Sequence, residues 1–152
     1  MKNYRKILIG FFLVTLTIPI SAIADDLIMR RVSMSFPEAM STLQSAIAKE
    51  GFKVTRVQRV DVGLTASGYK TAEYRIVFFM NEKTVHDIVK RQPELIPFLP
   101  LKITIFAEGD ETILVTLNPA KLNEFFPEIK MNKEFSEWEA AVNRILDKVQ
   151  SE

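Results

Sequence analysis

Residues 102–117, KITIFAEGDETILVTL, decide the fold. Lys102 to Ala107 and Thr112 to Leu117 are runs rich in Ile, Leu, Val and Thr, and Glu108-Gly109-Asp110-Glu111 separates them. Successive side chains of a strand point to opposite faces, so two such runs around a short glycine-containing turn predict an antiparallel hairpin. A hairpin with one apolar face needs further strands beside it and a layer to cover it.

The flanking segments supply both. Tyr74 to Met80 is the most apolar stretch outside the leader, with Ile76 to Met80 unbroken, and reads as a central strand. Asn81 is placed to cap a helix over 82–91 that turns Val85, Ile88 and Val89 inward; Pro93, Pro97 and Pro100 prevent its continuation. Phe52 to Val60 reads as a strand whose alternation slips near Arg56-Val57, which predicts a bulge. Asp61 to Thr71, with Gly63, Ser67 and Gly68, reads as turn.

Leu27 to Met34 is the first strand. Ser35, with Glu38 three residues later, has the spacing of a capping box, and Pro37 fits the first helical turn. Phe36, Ala39, Met40, Leu43, Ala46 and Ile47 then form one apolar stripe, which Gly51 terminates. Downstream, Asn118-Pro119 starts a small helical piece, and Leu122, Phe125, Phe126 and Pro127 form an apolar loop. A final helix over 133–150 lines up Phe135, Trp138, Val142, Ile145, Leu146 and Val149. Acids (Glu134, Glu137, Glu139) gather at its positive end, and Arg144 and Lys148 toward its negative end. The order is β-α-β-β-α-β-β-α. This is an α+β fold, a mostly antiparallel sheet with helices packed on one face.

Residues 1–24 read as a secretory signal peptide. Lys2, Arg5 and Lys6 precede an uncharged run, and Ala22-Ile23-Ala24 supplies the small residues of a cleavage site near Ala24. An uncleaved anchor is the rival reading, against which Pro19 and Ser21 count. Removing this leader from the 152-residue chain leaves 128 residues, a single domain over 25–152, and moves the formal charge from +1 to −2. The expected location is the periplasm or the exterior, with no membrane span after cleavage. No basic footprint for nucleic acid is present. The chain has no cysteine, which excludes thiol catalysis, disulfide exchange and thiolate metal sites.

Candidates for chemistry are sparse. His86 is the only histidine, and with Asp87 it forms the one weak catalytic pair. It sits on the polar side of its helix, where a solvated histidine is the simpler account. No nucleophile elbow, phosphate loop or dinucleotide fingerprint occurs. Zinc ligands are too few, and the acidic turn at 108–111 is too short for a calcium loop. Met29, Met34, Met40, Met80 and Met131 are scattered, which suits packing better than copper ligation. Asp61, Glu73, Glu94 and Glu124 lack a diagnostic setting. The surplus apolar surface lies in Leu95-Ile96-Pro97-Phe98-Leu99-Pro100 and in Leu122, Phe125 and Phe126, which either plug the core or cover a cavity. Tyr69 and Tyr74 are further candidates to line a pocket.

Three pieces resemble the domain of unknown function 302 family over about 32–117. They are Glu50-Gly51-Phe52-Lys53-Val54, the strand end Phe78-Phe79-Met80-Asn81, and Leu99-Pro100 leading into Lys102 to Phe106 and the Glu108-Gly109-Asp110 turn. The resemblance implies a TATA-binding-protein-like α+β fold and a homodimer, and no established activity. Relatives often carry cysteine where this chain has Met80 and Leu101, so any thiol or metal role does not transfer; Asn81 and Pro100 do. The resulting expectation is a non-enzymatic envelope domain, without cofactor or metal, that binds a small apolar ligand or an envelope protein. Its ligand-binding residues are expected among Tyr74, Asn81, Phe98, Pro100, Phe125 and Phe126. The alternative is an enzyme acting on an exported small molecule through His86 and a carboxylate.

Overall fold

The computed structural model describes residues 26–152; the expected leader and its expected cleavage site lie outside these. Five strands form one antiparallel sheet: β1 (Leu27–Val32), β2 (Lys53–Arg59), β3 (Tyr74–Met80), β4 (Leu101–Glu108) and β5 (Glu111–Leu117). Their spatial order is β1-β5-β4-β3-β2. The hairpin forms as its pattern requires, with Thr104 opposite Val115, Glu108 opposite Glu111, and Gly109 at φ +62° in the two-residue turn. β3 is an interior strand, paired with both β2 and β4, while β4 takes the middle position.

Two long helices cover one face. α1 (Phe36–Lys49) and α5 (Asn132–Gln150) pack Leu43, Ile47, Ile145 and Leu146 onto Val77, Phe79, Ile103, Ile105 and Leu114, all fully buried. Each of these large aliphatic or aromatic side chains contributes about 1.5–3 kcal/mol of transfer free energy. A second apolar cluster sits against the first turns of α5. There Phe135 and Trp138 meet Ile88, Leu95, Leu122, Ile129 and Met131. Those partners come from α3 (Glu82–Arg91), the 3₁₀ turn Pro93–Phe98, the one-turn α4 (Leu122–Phe125), and the stretch from there to α5. α5 therefore joins both clusters, and an ion pair from Arg30 on β1 to Asp147 (2.7 Å) ties it to the sheet edge.

The structure corrects several local expectations. Val60–Ala66 is a short helix, α2, rather than a turn. Seven residues are too few to hold a helix by hydrogen bonds alone. Asp61 anchors it by an ion pair to Arg75 on β3, and the Arg75 guanidinium lies 5.3 Å from the Phe36 ring centroid. Gly63 and Gly68 hid this helix, because the interaction that stabilises it is tertiary. The capping box does not form: Ser35 is the N-cap, but its side chain makes no cap hydrogen bond. Asn81 does cap α3, its Oδ1 accepting from the Thr84 N–H at 3.2 Å. The register shift in β2 falls between Val54 and Arg56, leaving Thr55 as the extra residue, slightly upstream of the expected position. The region expected to be an apolar loop contains the short α4, and β1 ends at Val32 rather than Met34. Lys53, Arg56 and Arg59 lie exposed on β2, where cations discourage edge-to-edge pairing.

Candidate functional site

A cavity of about 260 Å³ opens where β3 ends and β4 begins. Several turns of the chain build it. α1 stops at Glu50, and Gly51 at φ +79° swings the backbone so that Phe52 enters the cavity wall. β3 delivers Met80 as its last residue, and the cap residue Asn81 starts α3, whose Thr84 and Val85 face the same space. The chain returns through Leu99, a cis peptide to Pro100, and Leu101. Trp138 and Ala141, one turn apart on α5, close the opposite wall.

The walls combine apolar side chains with the polar Asn81 and Thr84, and neighbours hold the rings in place. Phe52 meets Phe79 edge-on, with centroids 5.4 Å apart, and Trp138 rests against Phe135 at 5.6 Å. The lip is polar. Glu134 and Glu137 stand on the first turns of α5, and Arg144 bonds Glu50 at 2.8 Å. Glu137 is also 3.7 Å from Lys133. A cavity of about 150 Å³ lined by aliphatic side chains accepts benzene, so this one has room for a larger ring compound. Small-molecule sites combine apolar walls with a few placed polar groups, and here polar groups make up nearly half of the lining.

The residues singled out in the sequence divide among several places. Asn81 lines the cavity, and Pro100 lies in the chain between two lining residues. Phe98 stacks on Phe125 at 6.2 Å and meets Phe126 edge-on at 5.4 Å, so these three rings pack on one another instead of lining the cavity. Tyr74 is at the far end of β3, edge-on to Phe106 at 6.4 Å. His86 and Asp87 are exposed on the outer side of α3 and do not line the cavity. Among the described residues, no group of three or more His, Asp or Glu side chains is placed to hold a metal ion. No described helix is long and apolar enough to cross a membrane.

Sequence reading missed Phe52, Trp138 and Ala141 as lining residues, because their spacing marks them only as core. Met80 and Leu101 carried a signal. The sequence singles them out as the positions where the resemblance implies cysteine, and both line this one cavity.

A crystal structure of an uncharacterised conserved DUF302 protein from Bacillus stearothermophilus has the same fold, with a TM-score of 0.75 at 20% sequence identity. The match covers 83% of this chain and 99% of that one. Comparison with curated proteins gives no match. The family model described as "Domain of unknown function DUF302" spans residues 28–149, nearly all of the described fold, and the chain belongs to that family.

Proposed function

We propose that this protein is exported to the cell envelope and there binds a small, largely apolar molecule, as a homodimer and without catalysing a reaction. The observation that carries the ligand reading is the cavity between the end of β3 and α5, with its aromatic and aliphatic walls and its polar lip. Residues 1–24 support the export reading, since their charge and small-residue pattern is that of a cleaved leader. The carboxylates of Glu134 and Glu137 at the lip disfavour anions, so a neutral or cationic amphiphile fits best. The exposed position of His86 supports a binding rather than a catalytic role, because a general base must reach its proton within hydrogen-bond distance.

The only tryptophan of the chain is Trp138, in the cavity wall, so intrinsic fluorescence reports on occupancy directly. Titration with the neutral dye N-phenyl-1-naphthylamine is expected to quench Trp138 and to saturate. Ala141→Leu, which extends a side chain into the cavity, is expected to weaken dye binding at least about tenfold, equivalent to about 1.4 kcal/mol. No quenching, or equal binding by the variant, would count against the cavity as a binding site.

A further inference from the structure

The sheet has a second face, and among the described residues no helix packs on it. α1 and α5 lie together on the other side. The strand registers place Leu27, Met29, Val115, Phe106, Ile76 and Phe78 on this open face. Leu27 and Met29 are 44% and 53% exposed, and Val115, Phe106, Ile76 and Phe78 are only partly buried. A continuous apolar patch of this kind marks an interaction surface. Five strands about 4.8 Å apart and about six residues long give a face roughly 20 Å square. At about 400 Å² per copy this is about half of what a standard interface covers on each partner, which suits a weak dimer.

The charges on this face indicate what covers it. Its middle row, Met29-Val115-Thr104-Ile76, has none. Lys102 and Arg56 lie at one end of the strands. Glu108 and Glu111 lie at the other, where Arg31 bonds both, at 2.5 and 2.7 Å. One guanidinium between two carboxylates leaves that end negative. The face is therefore complementary to itself when turned end over end. An anionic membrane surface would meet the acidic end unfavourably.

We propose that a second copy of this chain covers the open sheet face through a two-fold axis running across the strands, bringing Lys102 of each copy onto the acidic Glu108 end of the other. A two-fold axis along the strands would instead stack Lys102 on Lys102 and Glu108 on Glu108. Like charges facing each other across an interface select against that arrangement. The two apolar middle rows then pack as aligned sheets do, about 10 Å apart. The inference rests on the homodimer of the preceding reading and is independent of the cavity, which opens at the end of the sheet beside α5.

Sedimentation equilibrium tests it. The wild-type protein is expected to be a dimer. Lys102→Glu is expected to weaken association about 100-fold, and so is Glu108→Lys. Combining Lys102→Glu with Glu108→Lys is expected to restore association to within about tenfold of wild type. Lys102 is exposed, so the single variants should keep their folded circular dichroism. Thr104→Arg, in the uncharged middle row, gives a second test, with dimerisation expected to be lost. A monomeric wild-type protein would overturn both the dimer and its surface, including the case in which the face binds lipid vesicles or another protein instead. A dimer that tolerates Lys102→Glu and Thr104→Arg would leave the dimer standing and overturn the surface.

Discussion

Arg75→Met is expected to destabilise the protein by about 3 kcal/mol at neutral pH, and Asp61→Leu combined with Arg75→Met is expected to recover most of that loss. The pair is largely buried, with the two side chains 13% and 14% exposed, and Asp61 Oδ1 has no hydrogen-bond partner of its own. Burial pushes the Asp61 carboxyl up. The hydrogen bond from Arg75, the backbone N–H of Val62 and the nearby positive charges more than offset this and hold it below the usual carboxylate range. A carboxyl depressed in the folded state stabilises that state fully above its unfolded pKa of about 3.9. The contribution fades as pH falls from there through the lower folded value. Without Arg75, burial is left to act on Asp61, and the carboxyl is expected to rise. The penalty of Arg75→Met should therefore be largest at pH 7 and shrink toward pH 3. Urea denaturation at both pH values, read by circular dichroism, measures this. Equal destabilisation at the two would show that the pair does not anchor α2 electrostatically.

Phe135→Ala is expected to cost about 4 kcal/mol, the middle of the range for emptying a fully buried aromatic site. Phe135 is completely buried where α5 meets the second apolar cluster, and it supports Trp138 from behind. Its loss should also shift the Trp138 emission and loosen the cavity wall. Phe125→Ala is the control. That ring is 58% exposed and should cost less than about 1 kcal/mol. Chemical denaturation of the two variants separates a residue on which the fold depends from one lying on its surface.

That contrast shows where the sequence is legible. Two apolar runs around a short glycine-containing turn placed the 101–108 and 111–117 strands, and three- and four-residue spacing placed α1 and α5, because burial on one helix face imposes that period. Asn81 was readable as a cap because the side-chain hydrogen bond that makes it one is local. Failures occurred where distant residues decide the outcome. α2 depends on Arg75, fourteen residues from Asp61, and nothing within 60–66 announces a helix. Ser35 has the spacing of a capping box, but spacing does not set the side-chain direction.

The candidate site was less legible for the same reason. Phe52, Met80, Leu101 and Trp138 come from four separate stretches of the chain, and Phe52 and Trp138 are ordinary apolar residues in theirs. The conspicuous run from Leu95 to Pro100 drew attention because it is proline-bounded and apolar. Its Leu95 is fully buried in the second cluster, and its Phe98 packs on Phe125 and Phe126. Leu99 does line the cavity, although nothing in the run distinguishes it from its neighbours.

Native mass spectrometry of the protein isolated from the cells that make it tests the ligand reading most directly. A single small molecule per chain is expected to accompany the wild-type protein, to be displaced by N-phenyl-1-naphthylamine, and to be absent from Ala141→Leu. Bare polypeptide mass for the wild type, or an adduct that Ala141→Leu retains, would contradict the claim that this cavity is a binding site.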